Sequence, residues 1–186
     1  HAQGLGASGT PIERALLDAL VQRYQSPKLQ EPAELVRWND VYASAMRDVY
    51  AQFPDDLDVA ALFAEAMMDR TPWRLWDLET GKPFDNADTL EMVAVLEKGM
   101  AQSAHPHPGL LHLYIHTMEM SPTPQRALRA ADQLRPLVPE CGHLRHMPAH
   151  IYMQCGHYYD ALEVSYNATA ADGKYIAYAN LGRDDR

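Results

Sequence analysis

The chain has 186 residues, 47% of them apolar and 22% charged, and its 25 acidic against 16 basic side chains give a formal net charge of −9. That balance belongs to a soluble globular protein and excludes a disordered one. The length suits one domain with a sizeable core, or four or five helical hairpins. The negative charge argues against a nucleic-acid partner, and no run of eighteen apolar residues is present to span a membrane. Two cysteines, Cys141 and Cys155, exclude a disulfide framework and make a reducing, cytoplasmic setting the default expectation.

Residues 1–10 have neither a charged n-region nor an apolar h-region, so the sequence predicts a flexible leader rather than a secretion signal. A chain that begins with His1 is expected to be processed or an excerpt of a longer protein. The amine and ring of His1 could chelate copper, although a glycine-rich leader is a poor place to fix geometry. Thr10-Pro11-Ile12-Glu13 is a helix start: Thr10 caps, Pro11 takes the first helical position and Glu13 reaches back. Helical spacing of Ile12, Leu16, Leu17, Leu20 and Val21 carries that helix to about Tyr24, and Pro27 and Pro32 bound a linker. Helices are predicted over about Ala33 to Phe53 and Leu57 to Asp69, joined by Pro54-Asp55-Asp56, with alanines at 43, 45, 60, 61, 64 and 66 allowing close packing.

From Thr71 to Phe84 the pattern breaks. Trp73 and Trp76 fall in this connection, and the simplest expectation is that both cover exposed core. Asp88 is expected to cap a helix from Thr89 to about Ala104. Pro108 opens the next, which carries His112, His116 and Glu119, and His107 can cap it. A helix from the Ser121–Pro124 restart to about Val138 follows. The next carries His143, His146 and His150 to Cys155, and Gly156 opens a last one. Asn167-Ala-Thr169 fits a glycosylation acceptor but sits in that last helix and is discounted.

Eight of the nine histidines lie between 105 and 157. His112 and His116 are spaced i,i+4, as are His146 and His150, and the second pair repeats the first after 34 residues. That is the tetratricopeptide (TPR) period. Glu119 and Met153 share the offset, as do Ala127-Leu128 and Ala161-Leu162, so the register does not rest on histidines alone. Imidazole suits zinc, copper, iron and nickel, and helices packed at about 8–10 Å let histidines from both sides meet. His112, His116, His146 and His150 are therefore the expected metal ligands. Glu119 is a further ligand, a general base, or the acceptor that orients a ring N–H. Met153 would favour copper if it faced inward.

Two features oppose this. Pro148 cannot donate to the carbonyl of Leu144, so the helix either starts near Met147 or kinks. Equivalent positions of neighbouring repeats also point in parallel, so superhelical twist must bring them together. A histidine on an apolar face is more often a core residue bonded to a tyrosine or carboxylate, and Tyr114, Tyr152, Tyr158 and Tyr159 are at hand. His143 and His107 are second-rank candidates, and the HExxH pattern of zinc proteases is absent.

The stretches His107-Pro-Gly-Leu-Leu-His112-Leu-Tyr-Ile-His116-Thr-Met-Glu119 and His143-Leu-Arg-His146-Met-Pro-Ala-His150-Ile resemble a poorly characterised family of TPR-containing proteins from bacteria and fungi. The likeness extends to Phe53-Pro-Asp-Asp56, the tryptophan connection and Asp172-Gly-Lys-Tyr175. It implies a TPR-like fold, and proteins that run beyond both ends of this chain, with no settled activity. The expected fold is thus all-α, a right-handed array of antiparallel TPR-like hairpins (an α-solenoid) over residues 11–186. The expected function is metal binding, possible in an oxidoreductase or hydrolase acting on a small molecule. The alternative is a TPR scaffold whose groove holds a peptide or partner protein. The candidate helices are poor in the basic residues such a groove would use.

Overall fold

A computed structural model describes residues 6–28 and 30–179. The leader expected over 1–10 falls partly outside them, as do His1 and the segment 181–186. Among the described residues the regular structure is helical, with one isolated bridge and no strand. By its internal contacts the chain divides into two compact units. One runs to Asp77 and resumes over Pro83–Gln102; the other comprises Leu78–Lys82 and the chain from Ser103 onward.

In the first unit, a 3-10 turn at Gly6–Ser8 leads to α1 (Pro11–Arg23). Thr10 and Glu13 form the capping box: the Glu13 amide donates to Thr10 Oγ1 at 3.2 Å, and the Thr10 amide to Glu13 Oε2 at 2.7 Å. Two of the amides that a helix start leaves unpaired are satisfied this way. α2 (Pro32–Gln52) packs against α1 and against α3 (Leu57–Met68), whose amide at Val59 is capped by Asp56 at 2.9 Å. α4 (Thr89–Gln102) packs on α3. Ala60, Ala61, Ala64 and Ala66 are buried, and these small side chains let Met46, Phe63, Met67, Met92 and Leu96 close a core. Each large apolar side chain so buried contributes roughly 1.5–3 kcal/mol. Arg70 ties α2 to the start of α4, donating to Asp40 at 2.8 Å and pairing with Asp88.

The tryptophans of the connection separate. Trp76 is 8% exposed, bridges Pro83, and does cover core; the buried Thr89 hydroxyl donates to the Leu75 carbonyl at 2.8 Å and holds the segment down. Trp73 does not cover core, contrary to expectation. It is 78% exposed and stands, at a φ of 63°, in a tight turn closed by the Arg74 amide on the Thr71 carbonyl at 3.0 Å.

The second unit begins with α5 (Pro108–Met118), capped by His107, whose Nδ1 accepts from the Leu110 amide at 3.3 Å. A 3-10 turn over Pro124–Ala127 leads to α6 (Leu128–Leu134), shorter than expected, since the chain leaves the helix before Pro136. Then come α7 (Gly142–His146), α8 (Pro148–Gln154) and the long α9 (Tyr158–Tyr178). α5 packs on α6 and α8, and α9 on α7 and α8. Ile115, Met118, Leu134, Met147 and Ile151 form the centre of this unit.

α7 and α8 are one predicted helix divided at Pro148. Met147 keeps helical angles (φ −49°, ψ −39°), so the axis continues while the hydrogen-bond ladder breaks. Pro148 has no N–H for the Leu144 carbonyl, and the His150 amide bonds three residues back, to Met147, at 3.2 Å. The fully buried Met147 pins the joint. His143, His146 and His150 thereby stay on one side of a nearly continuous helix.

Candidate metal centre

On α5 the residues Leu110, Leu111, Leu113, Tyr114, Ile115 and Met118 are buried, which leaves His112 and His116 half-buried on the remaining stripe. Glu119 follows directly, in helical conformation as the C-cap residue, so it continues that stripe by three residues from His116. α7 and α8 bring His143, His146 and His150 to the same place. The outcome is a row of five imidazoles with ring centroids 5.0 Å apart for His143–His112, 4.8 Å for His112–His116, 5.7 Å for His116–His150 and 5.1 Å for His150–His146.

Within the row, His112, His116 and His143 each offer a ring nitrogen, all within 4.8 Å of one another. The Nε2 atoms of His112 and His143 face each other at 3.0 Å. Two ligands at 2.0–2.1 Å from a tetrahedral metal lie about 3.3 Å apart, so this spacing is close to that of a coordinated pair. The spacing argument named His112, His116, His146 and His150. The first two meet here with His143, and His146 stands at the far end of the row, its Nδ1 3.2 Å from Ser165 Oγ on α9.

Glu119 lies beneath the row. Its Oε1 is 2.9 Å from His116 Nδ1, and its Oε2 is hydrogen-bonded to His150 Nδ1. Both oxygens are thus occupied by imidazoles. His116 and His150 are held so that Nε2 is the nitrogen left to a ligand, the arrangement that commonly fixes a metal-bound histidine. Burial pushes the Glu119 carboxyl up, but the two imidazole hydrogen bonds and the positive charge those rings can carry outweigh it and bring it down to about 2. The carboxylate is therefore an anion at any ordinary pH. Burial, and then the charges of His116, His143 and His150, push His112 down to about 4. His146 is lowered too, by burial and then by His150 and His143. His112 is consequently a neutral imidazole near pH 7, the form a metal needs.

Ser165 was not anticipated: it lies nineteen positions after His146, on another helix, and a serine in a helix carries no sequence signal. Met153 is 54% exposed and lines an open cavity beside His150 and Glu119 rather than the triad. Cys141 and Cys155 are half-buried free thiols.

No family model matches the chain, and no curated protein does. Among solved structures, one titled "MamA MSR-1 C2" is similar with a TM-score of 0.56 and 15% identity, covering 91% of this chain and 81% of its own. That protein is a TPR-like helical solenoid. The chain accordingly has an all-α, TPR-like fold. Among the described residues no helix is long and apolar enough to cross a membrane.

Proposed function

We propose that this TPR-like protein binds one transition-metal ion between α5 and α7 through His112, His116 and His143. The supporting observation is the convergence of three imidazole nitrogens within 4.8 Å, two of them with Nε2 atoms 3.0 Å apart. An all-imidazole set takes zinc, copper or iron. Glu119 orients His116 from beneath and links it to His150, while His146 and His150 extend the row toward the cavity. Three protein ligands leave a coordination position for water, dioxygen or a substrate atom, which is the requirement for metal-dependent oxidation or hydrolysis. What the residues themselves supply is a neutral His112, a fixed tautomer at His116 and a permanent negative charge under the row.

The test is elemental analysis by mass spectrometry on untagged protein, beside a variant with His112, His116 and His143 changed to alanine. About one equivalent of copper, iron or zinc in the parent, lost from a variant of unchanged helicity, is expected, and the metal found assigns the chemistry. A parent that holds no metal and takes up none after dialysis against each ion overturns the proposal. The histidines would then be hydrogen-bonding residues of a TPR scaffold for a peptide or partner protein.

A further inference from the structure

The metal proposal leaves the outer end of the histidine row without a task. There, between α8 and α9, lies an open cavity of about 500 Å³, within the 300–1,000 Å³ usual for small-molecule sites. His146, His150, Ser165 and Gln154 give it neutral polar lining; Met153, Ala161 and Leu162 give it apolar lining. Met153 is 54% exposed, Leu162 68%, and Tyr158 at the rim is also exposed. Scattered apolar residues on a surface need no explanation, but several gathered round one concavity mark a binding site.

The chemistry of the lining narrows the ligand. Neither lysine nor arginine lines the cavity, so a phosphate or carboxylate would find no fixed counter-charge. The carboxylate that does line it, Glu119, has both oxygens bonded to His116 and His150 and is not offered to a cation. His146 is anchored through Nδ1 to Ser165, and His150 through Nδ1 to Glu119, which leaves Nε2 of each ring to meet a neutral hydrogen-bonding group. A thioether and a phenol ring at the wall and rim suit an aromatic body.

We propose that this cavity binds an uncharged, hydroxylated aromatic molecule of one or two rings, its hydroxyl on His146 or His150 and its rings against Met153, Ala161 and Leu162. The role of that molecule as substrate rests on the metal reading, since His150 is one ring, 5.7 Å between centroids, from the proposed ligand His116. Its binding does not rest on that reading.

The experiment is a fluorescence titration of the full, chelator-dialysed chain with 2-naphthol, beside 2-naphthoate, which carries a carboxylate on the same rings. One saturable site per chain is expected, with 2-naphthoate at least about ten-fold weaker. Leu162→Glu, a change at an exposed helix position, is expected to weaken 2-naphthol at least about ten-fold while keeping helicity and, in a separate measurement, the parent's metal uptake. If Leu162→Glu loses helicity, Leu162→Gln supplies the same reading. Non-saturable uptake, equal affinity for 2-naphthoate, or affinity unchanged in a folded Leu162 variant overturns the proposal. Metal in the parent without 2-naphthol binding defeats the cavity proposal alone. Saturable 2-naphthol binding by a chain that takes up no metal defeats the metal reading and leaves the cavity proposal standing.

Discussion

His143 and His112, thirty-one positions apart in the chain, bring their Nε2 atoms to 3.0 Å. A pair of imidazoles this close is stable without metal when one is protonated on Nε2 and donates to the other; for both to ligate, that proton must leave Nε2 for Nδ1, so that each ring offers an Nε2 lone pair to the ion. His146, whose Nδ1 meets Ser165, makes no such approach to His112. His143→Ala is therefore expected to lower metal affinity at least about 100-fold, beyond the ~10–100-fold cost of an outer-sphere change, and His146→Ala less than about 10-fold. Competition against a chromophoric chelator measures both. Equal losses would place His146 among the ligands.

Glu119 accepts from two rings at once, which defines a different experiment. Glu119→Gln keeps the shape but replaces one oxygen with an amide NH2, so one of the two ring nitrogens must change tautomer or lose its partner. Metal affinity is expected to fall roughly 10–100-fold with helicity retained. An unchanged affinity would show that the rings hold their orientation without the carboxylate.

The depressed titration of His112 has a consequence for the metal-free protein. Unfolded, this ring binds a proton near 6.5; folded, burial and the neighbouring histidines hold it to about 4. Between those values the unfolded chain binds more protons, so stability falls as the pH drops. With allowance for the partial exposure of the ring, the loss between pH 7 and pH 5 is about 1 kcal/mol. His112→Asn is expected to flatten this slope by that amount in urea unfolding curves taken with chelator present. Glu119 does not confuse the comparison. Its carboxyl is depressed from 4.5 to about 2, so its contribution is present above 4.5 and is lost only below the range measured. A variant with the parental slope would remove His112 as the cause.

The helix starts were legible because they are local. The Thr10–Glu13 box, Pro108 and the His107 cap each need only a few neighbouring residues, and each stands where the spacing placed it. The break at Pro148 was legible for the same reason, since a missing N–H is fixed by residue type. What the 34-residue period did not contain is how two repeats converge. Equivalent positions point the same way, so the partner that reaches His112 comes from three residues earlier than His146, about 4.5 Å back along the helix. His143 fills that place at an offset of thirty-one rather than thirty-four. Trp73 departs from expectation because nothing in Thr71-Pro72-Trp73-Arg74 announces a tight turn with a positive φ at a bulky residue, where the ring is 78% exposed.

Two residues beyond His150, Tyr152 locks α8 to α6. Its ring is 2% exposed, and its hydroxyl donates to Asp132 Oδ1 at 2.6 Å. Burial, and then the bond and charge of Asp132, push the phenol well above the usual tyrosine range, so it remains a donor at every accessible pH. Tyr152→Phe keeps the ring and its packing but strips the carboxylate of this donor. A hydrogen bond to a charged group contributes about 1.5–3 kcal/mol, and Tyr152→Phe is expected to destabilise the chain by that amount in urea melts. Because α8 carries His150 and continues α7, a looser α8 also widens the spread of the row. Metal affinity in Tyr152→Phe is therefore expected to fall several-fold with every proposed ligand in place, and pre-saturation with metal is expected to recover part of the lost stability by mass action. Loss of stability with metal affinity untouched would mean that the α6 anchor supports the core of this unit without setting the geometry of the histidines.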